Sequence, residues 1–160
     1  MNIDLNPVFG ITGKKMDIDY TIKAEDVDEY PRVSDVKVFG SVQNKTDIVT
    51  LTITCSYELT CLCDRCAEEF TRHIDQKIEH ELIKNLEDEQ DISYIEVPDG
   101  NLDLDELIRE DIILNLPYLF LCKEDCKGLC VQCGANLNDG ECKCKSPTDP
   151  RLSALLDLLD

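Results

Sequence analysis

Residues 49–63 read VTLTITCSYELTCLC, and this run decides the fold. Val49, Leu51, Ile53, Cys55, Tyr57, Leu59, Cys61 and Cys63 alternate with Thr50, Thr52, Thr54, Ser56, Glu58, Thr60 and Leu62, and only Leu62 breaks the polar row. A period of two sustained this long belongs to a strand with one buried face. Upstream, Val36, Val38 and Val42 alternate in the same way, and the polar Asn44-Lys45-Thr46-Asp47 separates the two runs. Residues 36–43 and 48–57 are therefore expected to pair as an antiparallel hairpin. Met16, Ile18, Tyr20 and Ile22 mark an earlier strand of the same kind. A run as long as 49–63 is expected to bend or bulge near its middle.

Downstream, residues 70–82 carry two periods at once. Ile74, Ile78, Leu82 and Leu86 recur at four, as in a helix, while Thr71, His73, Asp75, Lys77 and Glu79 alternate as in a strand. We read a strand returning along its predecessor. Residues 85–102 form an acidic connector, with a short strand at Tyr94 to Val97 and a turn at Pro98-Asp99-Gly100. Asp103 is placed to cap a helix, with Glu106 completing a capping box and Leu104, Leu107, Ile108 and Ile112 forming one apolar stripe. Pro117 ends it, because Leu116 is pushed towards an extended conformation.

The expected class is α+β: an antiparallel sheet, a meander or a partly closed barrel, with one or two helices and a small C-terminal zinc-knuckle module. Residues 1–117 would hold the sheet and helix, 118–147 the cysteine-rich module, and 148–160 a last helix. That helix has Pro150 in its first turn and Leu152, Leu155, Leu156 and Leu159 on one side. Without Trp and with few Phe, the core falls to Val, Ile and Leu.

Six of the ten cysteines lie between Cys122 and Cys144, in CKEDCKGLCVQCGANLNDGECKC. Cys130-Val131-Gln132-Cys133-Gly134 has the form of a zinc knuckle, in which two thiolates bite one tetrahedral ion and the glycine permits the turn. Cys142 and Cys144 supply a second thiolate pair, so Cys130, Cys133, Cys142 and Cys144 make one candidate structural zinc site. Cys55 and Cys61 share the buried parity of the long strand and read as core. Cys63-Asp64-Arg65-Cys66 is a further C-x2-C, at a strand-to-turn junction. This pair can recruit ligands from elsewhere, work as a redox couple, or cap the sheet. A thioredoxin-type centre would open a helix in a βαβ unit, which an antiparallel meander does not offer. Eight cysteines suffice for two tetrathiolate sites, with Cys63, Cys66, Cys122 and Cys126 as the second, which would pin the tail to the sheet. The alternative is a single site in which Cys126 replaces Cys142 or Cys144. One or two zinc ions are thus expected.

The net charge is -18. Long-range repulsion from phosphates and anionic membranes follows, which argues against broad wrapping by RNA and against membrane binding. Thirteen carboxylates fall between Glu79 and Asp111, against Lys84 and Arg109. No apolar run is long enough to cross a bilayer, and the first residues lack the pattern of a signal peptide, so the cytoplasm is the expected compartment. Reducing conditions there favour metal over disulfides. No phosphate loop, H-E-x-x-H or G-x-S-x-G occurs, no histidine stands beside a cysteine to activate it, and no small-molecule substrate site is evident. His73 and His80 read as surface imidazoles. Asp105, Glu106, Glu110 and Asp111 read as a solvated helix face, since no histidine or second carboxylate motif converges on them.

Several of these pieces together resemble one family, the large ribosomal RNA subunit accumulation proteins known as YceD. The matching residues are Cys63-Asp64-Arg65-Cys66 followed by Phe70, and the Asp103-Leu104 helix running into Glu110-Asp111-Ile112-Ile113-Leu114-Asn115-Leu116-Pro117. The string from Cys122 through Cys126-Lys127-Gly128-Leu129-Cys130, Cys133-Gly134 and Asn136-Leu137-Asn138 to Cys144, with Asp149-Pro150-Arg151, is similar to the tail of the Gram-positive branch. The resemblance implies a bacterial, non-enzymatic ribosome-biogenesis factor that supports synthesis, processing or stability of large-subunit ribosomal RNA. Its partner would be that RNA or a pre-ribosomal particle, reached through a basic ribosomal protein that the acidic belt shields. Arg65, Asp105, Glu106, Glu110 and Asp111 are the candidate partner-binding residues. The competing reading is a thiol- or zinc-responsive redox protein in which Cys63 and Cys66 cycle.

Overall fold

A computed structural model of the chain describes residues 1–24, 31–46, 48–84 and 94–144. The elements in order are β1 (Asn2–Asp4), α1 (Asn6–Phe9), β2 (Lys15–Ile22), β3 (Arg32–Val33), β4 (Val36–Lys45), β5 (Ile48–Leu62), β6 (Glu69–Ile83), β7 (Tyr94–Glu96), β8 (Asn101–Asp103) and α2 (Leu104–Leu114). The main sheet is open, ordered β2-β4-β5-β6-β7, with β3 added to the far end of β5. Its pairs are antiparallel except β6 with β7, which makes the sheet mixed, and β2 and β7 stand at separate edges, so the sheet does not close into a barrel. β1 and β8 form a separate two-stranded ribbon.

β5 is the spine of this sheet. Its apolar row is buried from Val49 to Cys61, and the threonines between face outward. It pairs with β6 along almost its whole length, from Val49↔Leu82 to Leu62↔Glu69, and with β4 from Lys37↔Ser56 to Lys45↔Ile48. Both registers run without an inserted residue, so the expected bulge is absent. The alternation of β5 carries its apolar row along one side through both registers, and that row needs no bulge to stay buried. At Gly40, opposite Ile53, an added Cβ would stand 2.2 Å from the Thr52 carbonyl oxygen, so only glycine lets β4 approach this closely.

The helical period of Ile74, Ile78 and Leu82 gives way to the strand period, and β6 is a strand. Its partner, β5, decides the matter by offering a complete ladder. The buried face of the sheet is covered by α2, α1 and the β1–β8 ribbon. Leu104, Ile108 and Ile112 from α2 join Leu5 and Val8 against Val38, Val42, Leu51 and Ile53. Polar contacts fix the helix at both ends: the Tyr20 hydroxyl on β2 donates to Asp105 at 2.9 Å, and His80 on β6 lies 2.8 Å from Asp111. Asp103 caps the helix as expected, accepting from the amides of Asp105 and Glu106.

Two details depart from the sequence reading. Asn44 belongs to β4 rather than to a turn and is 1% exposed, its amide donating to the carbonyls of Val8 and Phe9. His80 is not a free surface imidazole but is half-buried in its contact with Asp111, whereas His73 is exposed. The expected helix over 148–160 lies outside the described residues.

Candidate metal centres

The β5–β6 hairpin places the first pair of thiols. Cys63 follows the last residue of β5, and its amide closes the turn by donating to Glu68 O at 2.9 Å. The Ala67 amide returns to Cys63 O at 2.8 Å, with Ala67 in the left-handed region at φ 57°. The second C-x2-C repeats this turn. Gly134 N donates to Cys130 O at 2.8 Å, with Gly134 at φ 72°. The two pairs are thus built alike, although Ala67 occupies the position where a glycine marks the knuckle in the sequence.

The tail is stapled to the hairpin through the two residues between Cys63 and Cys66. Asp64 N donates to Phe120 O at 2.8 Å, and its carboxylate accepts from Phe120 N at 2.6 Å. Arg65 donates from Nη1 to Cys126 O at 3.0 Å, and its own carbonyl accepts from Leu129 N at 3.2 Å. Arg72 on β6 reaches Leu121 O at 2.9 Å. These bonds bring Cys122 and Cys126 onto the hairpin tip, beside Phe70 and Leu121. Gly128, at φ 73°, passes so close to Arg65 that a Cβ would stand 3.0 Å from its carbonyl oxygen.

Two quartets of sulfurs result. Cys63, Cys66, Cys122 and Cys126 form an inner quartet, mostly buried, and Cys130, Cys133, Cys142 and Cys144 an outer one, partly exposed. Within each, all four Sγ atoms lie within 4.8 Å of one another. Four sulfurs bound to one zinc at about 2.3 Å stand about 3.8 Å apart. Cys63 to Cys126 and Cys66 to Cys122 are each 3.7 Å, short enough for a shared ion and too long for disulfides. Each quartet can hold a metal ion.

The electrostatics point the same way. Burial pushes the Cys63 thiol up, but the amides of Cys122, Cys66 and Arg65 donate to its sulfur and prevail, bringing it down to about 6. The amide of Glu68 favours the Cys66 thiolate, yet burial and the sulfurs of Cys63, Cys122 and Cys126 push it up to about 12. The outer quartet divides likewise. Cys130 falls to about 6 through the amides of Cys133 and Gln132, and Cys144 rises to about 12 beside Cys133. Amides are aimed at sulfurs that cannot all ionise together, because like charges at this range exclude one another. A divalent cation removes that conflict.

Cys55 and Cys61 are buried in the sheet and belong to neither quartet. The remaining sequence candidates scatter. Asp105 spends its carboxylate on the Tyr20 hydroxyl and the α-amine of Met1, and Asp111 spends its own on His80, while Glu106 and Glu110 are exposed. Arg65 is turned inward onto the tail. Asn138 carries no motif of its own in the sequence, yet its amide donates to Cys126 Sγ at 3.3 Å and pulls that thiol down. Its place inside the C-x8-C loop and its place in the tail string that carries the family resemblance were the signals that pointed to it.

An α+β fold of this topology with two thiol quartets defines a small cysteine-clamped protein. Residues 49–159 match the sequence profile of the large ribosomal RNA subunit accumulation protein YceD, and the chain belongs to that family. An Arabidopsis thaliana relative, the chloroplastic large ribosomal RNA subunit accumulation protein YCED homolog 1, is 26% identical over 150 residues, 75% of this chain and 47% of its own. The Zea mays homolog 1 is 36% identical over 76 residues, 44% of this chain and 26% of its own. The Bacillus subtilis protein YlbN, uncharacterized, is 30% identical over 132 residues, 80% of this chain and 76% of its own. The match spans less than half the length of the plant relatives. No solved structure matches. Among the described residues, no helix is long and apolar enough to cross a membrane.

Proposed function

We propose that this protein is a non-enzymatic cytoplasmic factor in assembly of the large ribosomal subunit, held in shape by two structural zinc ions. The observation that carries the reading is the family match over residues 49–159, whose family is named for accumulation of large-subunit ribosomal RNA. Each zinc would take four thiolates, one ion on Cys63, Cys66, Cys122 and Cys126 and the other on Cys130, Cys133, Cys142 and Cys144. The sulfur spacings and the amides aimed at them support both assignments. The ions would organise the tail and supply no reaction step. In this reading residues 118–147 are a module clasped to the sheet of residues 1–117.

The net charge of -18 favours a basic ribosomal protein, or a particle containing one, as the immediate partner over bare RNA. Glu106 and Glu110, exposed on α2, are the carboxylates free to face it. The redox reading has less support, because Cys63 and Cys66 each have a tail sulfur at 3.7 Å and do not stand apart as a dithiol.

Depleting the protein in its own cell tests the role. The expected result is a fall of large-subunit relative to small-subunit ribosomal RNA, with the protein co-purifying with precursor large subunits and with two zinc ions per chain. An unchanged RNA ratio after full depletion overturns the function, and a metal-free native chain overturns the zinc.

A further inference from the structure

The two quartets are joined by one side chain. Asn138 sits in the loop between Cys133 and Cys142, both in the outer quartet, and its Nδ2 lies 3.3 Å from Cys126 Sγ in the inner quartet. The orientation of the amide is fixed by its other end, where Oδ1 accepts from Lys127 N at 2.9 Å. A backbone amide only donates, so the atom facing Lys127 is the oxygen and the NH2 must face the sulfur. Asn136 locks the same group a second time, its Oδ1 accepting from Asn138 N at 3.0 Å and from Nδ2 at 2.9 Å. The loop is tied back to the strip between the quartets by Leu137 N to Gly128 O at 2.9 Å and by Cys130 N to Ala135 O at 2.8 Å.

We propose that Asn138 is a positioning residue coupling the two sites: the outer quartet, when metal closes its loop, presents the Asn138 amide to Cys126 and so raises the metal affinity of the inner quartet. The inference rests on both quartets being metal sites. Hydrogen bonds from outside the ligand set orient a ligand and tune its charge, and their loss typically weakens a site 10- to 100-fold. Linkage makes the effect mutual, so a filled inner site favours the outer by the same factor.

Cobalt(II) titration of the full chain, competed with a chromophoric chelator, reads the coupling. Two ions with thiolate-to-cobalt bands are expected. Asn138→Asp keeps the Lys127 contact and all eight thiols but removes the donor to Cys126. It should weaken one site about 10- to 100-fold and shift that site's charge-transfer band. Cys144→Ser disables the outer site, and the inner site that remains should weaken by a similar factor. Adding Asn138→Asp in that background should change little more, which a purely structural role for Asn138 would not produce. Two ions whose inner affinity is the same in the original chain and in Asn138→Asp overturn the coupling alone. A chain that shows no sulfur-bound cobalt overturns the metal reading together with the coupling. If Cys144→Ser unseats the tail, Cys133→Ser takes its place as the variant that disables the outer site.

Discussion

The sheet with α2 and the cysteine segment after Pro117 are held together by different physics. In the first, a continuous cluster made mostly of Val, Ile and Leu from six strands and two helices is removed from water, and most of its stability follows from that burial. In the second, only Cys126 and Gly128 are buried between Leu121 and Cys144. Its exposed Leu129 and Val131 contribute little to a core. What remains there is a set of backbone hydrogen bonds to the hairpin and eight thiols, if Cys63 and Cys66 are counted with it. A segment so poor in apolar contacts needs a strong local bond to outweigh its ordering entropy. The lesson is that one chain of moderate size can combine a large apolar core with an appendage that has few apolar contacts and two thiol quartets able to hold metal.

That contrast can be broken by removing the metal. Structural zinc in thiolate sites of this kind is associated with about 10 kcal/mol or more of binding free energy. A tight chelator should therefore abolish amide protection at Phe120, Cys126 and Leu129 while leaving the amides of β5 and β6 slow to exchange. Simultaneous loss of both sets would show that the sheet is not self-sufficient. Cys126→Ser should reproduce the loss, whereas Cys133→Ser should spare the Asp64–Phe120 contacts.

The opposite cut is made in the core. Ile108 on α2 is fully buried, and Ile108→Ala should cost about 2–5 kcal/mol in denaturant melts. If the comparison holds, zinc should still be retained in the native state of this variant. A smaller test concerns the polar ties of α2. His80→Ala leaves the half-buried Asp111 carboxylate without its partner and should cost about 1–3 kcal/mol, whereas His73→Ala, at an exposed imidazole, should fall within about 0.5 kcal/mol. The smallest change should be a gain. Ala67 is held at φ 57°, where glycine carries no Cβ penalty, so Ala67→Gly should stabilise the hairpin tip by up to about 1 kcal/mol, read as slower chelator-driven loss of the inner metal.

The elements legible in the sequence were those with long periods. Residues 49–63 could only be a half-buried strand, and their partner at 36–43 followed from the same alternation, although β4 runs on through Asn44 and Lys45, which the sequence marked as a turn. The capped stripe from Leu104 to Ile112 was equally plain. β1, α1 and β8 escaped because three or four residues carry no measurable period, and their order comes from tertiary contacts such as Leu5 N to Gly100 O at 2.7 Å. The bend or bulge expected in β5 rested on length alone, and the unbroken registers with β4 and β6 leave out the bulge. In the candidate site, the knuckle around Cys130 and Cys133 was marked by Gly134. The meeting of Cys63 and Cys66 with Cys122 and Cys126 depends on Asp64 and Arg65 binding a tail some sixty residues away, which spacing does not encode. Ala67 concealed that the two pairs share one turn.

The wide separation of the inner ligands has a consequence for how the protein is made. Cys63 and Cys126 are 63 residues apart in the chain. At ribosomal rates of about 5–20 residues per second, roughly 3 to 13 seconds pass between their appearances. During that interval the hairpin of β5 and β6 can fold with its tip carrying two thiols and no means of completing a tetrahedral site. The nascent protein therefore passes through a stage at which it presents a naked pair of thiols, open to oxidants and to soft metals, and the arrival of the tail ends that exposure.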